Sequence, residues 1–128
     1  MQFKDRYPIF VTAAMRDCRD FWIRHFGFVV IFENEWFSYL QAPDASASIG
    51  FLTPDHPSSP PGADPYAGGV SLELEVENAT AALAELRATG REPEYPLTDE
   101  PFGQRRFGLS DPSGLWINVV QQIAMPPA

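Results

Sequence analysis

The stretch "GGVSLELEVENATAALAELRATG", residues 68–90, decides the fold. Ser71, Glu73 and Glu75 alternate with Leu72, Leu74 and Val76, the period-two pattern of a strand with one apolar face. Asn78 stands where a helix N-cap belongs, the helix runs on to Thr89, and Gly90 closes it. A strand followed directly by a helix is also how the chain begins. Tyr7 to Thr12 reads as a strand and Met15 to Phe26 as a helix, with Met15, Cys18, Phe21 and Trp22 on one face and Gly27 as the stop.

Outward from these two starts the strands follow in the same order. In the first half they are "FVVIF" (28–32), "WFSYLQ" (36–41) and "ASIGFL" (47–52). In the second they lie near 92–95, 104–110 and 115–121, the last two joined by the turn Asp111-Pro112-Ser113-Gly114. Two β-α-β-β-β modules of roughly 60 residues indicate an internal duplication. The modules span 7–53 and 70–122 of a single 1–128 domain. They are joined by a loop at 54–69 that is too rich in proline and glycine for regular structure.

The fold class expected is therefore α+β, two tandem βαβββ modules. Each module has one helix to cover one face of its sheet. The other face must find cover elsewhere, and two mixed sheets curving toward each other would enclose a central cavity.

Composition narrows the function. A chain of 128 residues with a formal charge of -8 lacks the excess of lysine and arginine that nonspecific nucleic-acid binding requires. No apolar run reaches the roughly 18 residues needed to cross a bilayer, and "MQFKDRYPIF" has no signal-peptide segment, so a cytoplasmic protein with no membrane partner is expected. Cys18 has no second cysteine to pair with and falls on the apolar face of the first helix, as a small core residue. His25 reads as an end-of-helix residue and His56 as a surface histidine, so the supply of metal ligands is thin.

Three segments carry a family resemblance: "DFWIRHFGFVVIF", "GGVSLELEVENATAALAELRATG" and "DPSGLWINVV". They are similar to the helix-Leu-Gly-Phe-strand segment, the second-module start and the closing Asp-Pro-X-Gly turn and strand of the vicinal oxygen chelate superfamily. That superfamily includes glyoxalase I, extradiol dioxygenases and bleomycin resistance proteins. The resemblance implies the glyoxalase/bleomycin resistance fold over nearly the whole chain and a homodimer. In the metal-dependent members four His, Gln or Glu side chains hold one ion, and those positions carry over to Tyr7, Gly50, Ser71 and Asn118. None is a usual ligand, which implies neither metal nor cofactor.

Asn118 then looks like the remnant of a ligand position facing the cavity; the plainer alternative is a strand asparagine hydrogen-bonded to neighbouring backbone. Strand alternation puts Ser71, Glu73, Arg106, Trp116 and Asn118 on one face, and Leu72, Leu74, Phe107, Leu109, Ile117 and Val119 on the other, beneath the helix. Glu73 and Arg106 could pair with each other, orient a polar ligand, or simply be solvated. Trp116, Trp36 and Tyr39 offer flat surfaces to an aromatic ligand, and Tyr66 is the large apolar side chain with which the 54–69 loop could close over it. The candidate ligand-binding set is Glu73, Arg106, Trp116, Asn118, Ser71, Tyr39 and Tyr66, with no catalytic set. The function expected is metal-free binding, and sequestration, of a hydrophobic or aromatic small molecule. The alternative is a glyoxalase-like or dioxygenase-like enzyme, with Glu73 as base and Arg106 stabilising an anion, or with a metal held by other ligands.

Overall fold

The computed structural model describes residues 1–57 and 65–125. The chain divides into two units, 1–67 and 68–128, each built around its own sheet. The first unit runs β1 (Ile9–Val11), α1 (Met15–Phe26), β2 (Val29–Glu33), β3 (Phe37–Gln41) and β4 (Ser48–Leu52). Its sheet has the order β1-β4-β3-β2, with β1 parallel to β4 and the remaining pairs antiparallel.

Helix α1 buries Met15, Cys18, Phe21 and Trp22, the four residues whose spacing marks its apolar face. It ends because Gly27 adopts a left-handed φ of 69°, which a side chain would resist. The Phe28 N–H reaches back to the Trp22 carbonyl at 3.2 Å and the two rings pack at 4.9 Å, the apolar contact that completes such a stop. Beneath the helix lie Phe10, Ser38, Leu40, Ile49 and Phe51, all buried. Glu33 closes this side: it accepts from Arg19 of α1 at 2.6 Å and from the Ser38 hydroxyl at 3.0 Å. The opposite, open face carries Ile9, Val29, Phe32, Phe37, Tyr39 and Gly50.

The second unit repeats the order with β5 (Ser71–Glu75), α2 (Ala79–Ala88), β6 (Tyr95–Glu100), β7 (Gln104–Ser110) and β8 (Trp116–Gln122). Its sheet runs β5-β8-β7-β6, and β5 is parallel to β8. Helix α2 starts where Asn78 Oδ1 accepts from the Ala81 N–H at 2.9 Å. Gln121 of β8 takes the Ala79 N–H at 2.9 Å, so a second orphan donor of the helix start is satisfied from the sheet. Ile117, Val119, Phe107 and Leu109 form the buried layer under α2.

The turn before β8 is held by Asp111, which is buried and accepts from the Ser113 N–H at 2.8 Å and the Leu115 N–H at 3.2 Å. Gly114 supplies the positive φ of 88°.

One strand differs from the sequence reading. The strand expected near 92–95 is β6, Tyr95–Glu100. Pro96 and the polar run after it obscure the alternation, but β6 is an edge strand, where a residue without an N–H is tolerated. A bulge between Tyr95 and Thr98 breaks the period further. Strand β1 is also shorter than the 7–12 expected. No helix among the described residues is long and apolar enough to cross a membrane.

Candidate functional site

Cross-strand register settles which side chains share the open face of the second sheet. Glu73 pairs with Asn118, Asn118 with Gly108, and Gly108 with Tyr95, so these four make one row across all the strands. The row on one side holds Ser71, Trp116 and Ser110, and the row on the other holds Glu75, Val120, Arg106 and Thr98.

Asn118 is the centre of this face. It is 7% exposed, and both ends of its amide are used. Its Oδ1 accepts from the Trp116 indole Nε1 at 2.8 Å, and its Nδ2 donates to Glu73 Oε1 at 2.8 Å. Ser71 Oγ donates to the same Glu73 oxygen at 3.0 Å. The polar residue inside the last strand is thus satisfied by side chains of the open face, which accounts for its tolerance in a buried position.

Gly108 is what lets the indole lie down. A Cβ at this position would fall well inside contact distance of Trp116 Cζ2, 2.9 Å from Cε2 and 3.1 Å from Asn118 Oδ1. The tryptophan ring therefore occupies the volume that a side chain at 108 would need.

Arg106 does not join Glu73. Its Nη2 stands 3.7 Å from Glu100 Oε2, and its Cζ lies 5.6 Å from the Tyr95 ring centre and 5.3 Å from that of Phe102. Glu100 in turn accepts from the Tyr95 hydroxyl at 2.5 Å. Its neighbour Arg105 has the opposite parity and binds Asp99 at 2.7 and 3.0 Å; that partner holds the Asp99 carboxyl below its ordinary range.

In the first unit, Tyr39 lies on the open face against the Tyr7 ring at 5.2 Å, and its hydroxyl accepts from Gln41 Nε2 at 3.1 Å. Tyr66 is bound on the other side of the same sheet: its N–H donates to the Val11 carbonyl at 2.7 Å and its ring meets Phe10 edge-on at 5.1 Å. Residues 58–64 of the joining loop, which reads from sequence as either a linker or a lid over a ligand, lie outside the described residues. His56 is half-buried and stacked on Trp36 at 3.7 Å, where a surface histidine was expected. Cys18 is fully buried in the core and His25 packs against Phe21 at 4.9 Å.

The four positions to which the resemblance carries the metal ligands, Tyr7, Gly50, Ser71 and Asn118, present donors that do not suit a metal. Gly50 offers no donor, and the space above it is taken by Ile9 Cγ1 and the Phe37 ring at 3.2 Å. The Asn118 oxygen is committed to an indole N–H, and Tyr7 packs on Tyr39. A neutral hydroxyl at Ser71 adds little to such a set. Among the described residues no three His, Cys, Asp or Glu side chains gather as a metal site.

Gly108, Tyr95, Glu100 and Phe102 were not in the sequence-derived set. A glycine inside the otherwise regular "QRRFGLS" strand is the signal that could have revealed the close approach of Trp116. The other three were hidden with the misplaced β6.

Comparison with known proteins agrees with this architecture. The sequence profile described as Glyoxalase/Bleomycin resistance protein/Dioxygenase superfamily matches residues 8–119. The chain belongs to that superfamily. Among solved structures of this fold, a glyoxalase/bleomycin resistance protein/dioxygenase from Nocardioides superposes with a TM-score of 0.78 at 17% identity, over 100% of this chain and 90% of that one. A bleomycin-binding protein complexed with bleomycin gives 0.69 at 20% identity, over 94% and 99% of the two chains. A superfamily member from Sphaerobacter thermophilus gives 0.73 at 21%, over 94% and 98%. No curated protein matches the sequence. At these identities the likeness to the solved structures is one of fold, and the superfamily hosts unrelated chemistries on one scaffold.

Proposed function

We propose that this superfamily member is a metal-free small-molecule-binding protein that takes up and sequesters a hydrophobic or aromatic compound. The observation that carries the reading is the Trp116 indole, pinned over Gly108 by Asn118, with Glu73 and Ser71 behind it. A ring immobilised before the ligand arrives loses little further entropy on binding, which is what a stacking surface for an aromatic compound needs. Nothing in this network requires a metal or a nucleophile. The solved structure of a bleomycin-binding protein with its ligand supports the same use of this fold.

The test is a titration of chelator-treated protein with a panel of aromatic compounds, followed by tryptophan fluorescence and calorimetry. Saturable binding is expected, and its fluorescence response should vanish in Trp116→Phe while Trp22 and Trp36 remain. A panel in which no compound saturates would refute the binding reading.

The same reading includes a homodimer. Ile9, Val29 and Phe32 leave an apolar open face on the first sheet, with Phe32 53% exposed, and a second copy is the partner the superfamily resemblance implies. Light scattering should give twice the 14.3 kDa chain mass; a mass near 14.3 kDa at all concentrations counts against it.

A further inference from the structure

The open face of the second sheet holds one cation whose bonding capacity is largely unused. Arg106 is 27% exposed at the side chain and stands over the Tyr95 and Phe102 rings. Its ion-pair contact, 3.7 Å to Glu100, is longer than a hydrogen bond, and its buried Nε has no hydrogen-bond partner among the described residues. A guanidinium carries five N–H donors in one plane. With the cation already held against two aromatic rings, the in-plane donors are what it can still offer.

Register places this group beside the tryptophan platform. Arg106 and Gly108 are two apart on β7 and share the open face, and the Trp116 indole lies over Gly108. Two residues along a strand span roughly 7 Å, which matches an aromatic ring with a carboxylate substituent plus one charge-assisted hydrogen bond of about 2.8 Å to the guanidinium. Tyr95 pairs with Gly108 from the neighbouring strand and its ring reaches Arg106, so the row on which the indole rests also carries a ring that holds the guanidinium.

We infer that Arg106 is the specificity determinant of this face and that the ligand is a planar aromatic compound bearing a carboxylate, its ring over Trp116 and its oxygens on the Arg106 fork. The inference rests on the small-molecule-binding reading and names the ligand class for it. A planar fork matches a carboxylate through two parallel N–H···O bonds, a geometry that a simple cation does not provide.

Three carboxylates of this face oppose the charge, and one of them, Glu73, lies one row from Arg106 and two strands away on β5, where it accepts from Asn118 and Ser71. Glu100 is the internal competitor, but one of its oxygens is engaged by the Tyr95 hydroxyl and the other stays at 3.7 Å. Glu75 lies in the Arg106 row with Val120 between them, and it accepts from Gln122 at 2.7 Å. Two strand spacings are about 10 Å, beyond the screening length of about 8 Å at physiological salt. The contest is therefore local, between Glu100 and the incoming carboxylate.

The experiment compares 2-naphthoate with its neutral isostere 2-naphthamide by calorimetry, on wild type, Arg106→Met, Arg106→Lys and Glu100→Gln. Wild type should favour the acid by about tenfold, because a charge-assisted pair exceeds a neutral hydrogen bond by roughly that factor. Arg106→Met should bind both alike at the affinity wild type shows for the amide, and Arg106→Lys should fall between. Glu100→Gln should tighten naphthoate a few-fold and leave naphthamide unchanged. The wild-type comparison and Glu100→Gln stand even where Arg106→Met loses its fold. Equal affinity of wild type for acid and amide, or an acid preference that survives in folded Arg106→Met, overturns the inference and leaves the binding reading intact. Failure of every aromatic probe, charged or neutral, overturns both.

Discussion

Trp116 and Asn118 stand two residues apart on one face of β8 and are joined side chain to side chain, indole Nε1 to amide Oδ1 at 2.8 Å. The asparagine amide serves both neighbours because it carries an acceptor and a donor in one neutral group. It must accept from an indole, which only donates, and donate to the Glu73 carboxylate, which only accepts.

Replacing Asn118 by leucine should therefore cost about 1–3 kcal/mol, the penalty for leaving a partly buried donor without an acceptor. The share from Glu73 is small because that carboxylate is exposed and can turn to water. Asn118→Asp has the more telling signature. Its one oxygen still accepts from Trp116, but the other faces Glu73 Oε1 across the 2.8 Å now spanned by an N–H donor. Like charges raise the pKa of the folded pair, so the loss should be full above that raised value and fade as acid protonates one of the two. Urea denaturation between pH 4 and 8 checks it: a difference from wild type that does not shrink toward acid contradicts the pairing.

Gly108→Ala should displace the indole and not the backbone, since the obstructed atoms belong to the Trp116 ring and the Asn118 side chain. The expected loss is about 1–3 kcal/mol for a methyl forced into an occupied volume. Trp116 fluorescence and near-ultraviolet dichroism should change with it, and aromatic binding should weaken. Retention of all three at wild-type levels would show that the ring does not rest on Gly108.

Most of the fold was legible because it rests on local chemistry. Gly27, Asn78 and Asp111 each act on residues within a few positions of themselves, so both helices and the closing turn could be placed from sequence alone. Alternation likewise placed Ser71, Glu73, Arg106, Trp116 and Asn118 on one face, as the register shows. What alternation leaves open is which neighbour each side chain takes. Arg106 found Glu100 and two rings on β6 and its turn, and neither the bulge nor Pro96 lets those positions be counted from a regular period.

The helix cap gives a prediction free of the site. Asn78→Ala removes the acceptor of the Ala81 N–H and should lower stability by about 1 kcal/mol, while Asn78→Asp should keep most of it. Thermal denaturation of the pair distinguishes a cap from a merely polar surface position, for which both variants would match wild type.

Acid sensitivity should be set partly by Glu94. Burial raises its pKa, but the hydroxyl and N–H of Ser110, at 2.7 and 2.9 Å, and Arg91 at 3.1 Å outweigh that and hold it below the ordinary glutamate value. A carboxyl depressed in the folded state contributes stability that is present above its unfolded pKa and is lost as pH falls through the folded one. Ser110→Ala should thus weaken the protein at pH 7, and the difference should narrow only as pH falls through the depressed folded-state value, beneath the ordinary glutamate range, where Glu94 becomes protonated in both proteins. A Ser110→Ala deficit that is constant from pH 7 to pH 3 would assign it to packing alone.

Extended chelation should leave the melting temperature where it was. A bound metal stabilises a fold by its affinity relative to its free concentration, so stripping a tightly held ion lowers the transition by several degrees. That linkage needs donor atoms, and the corresponding positions supply a glycine under Ile9 and Phe37, a tyrosine whose ring packs at a tilt against Tyr39, an asparagine bound at both ends and a serine hydroxyl directed to Glu73. For a divalent transition metal to bind, Asn118 would have to release Trp116 and Glu73 would have to release Asn118, which exchanges two hydrogen bonds of a buried amide for one weak neutral ligand. Calorimetric melting before and after dialysis against a chelator, with zinc, nickel and iron added back, measures this directly. A fall reversed by any one of them would place metal ligands elsewhere in the chain and give the enzyme reading precedence over sequestration.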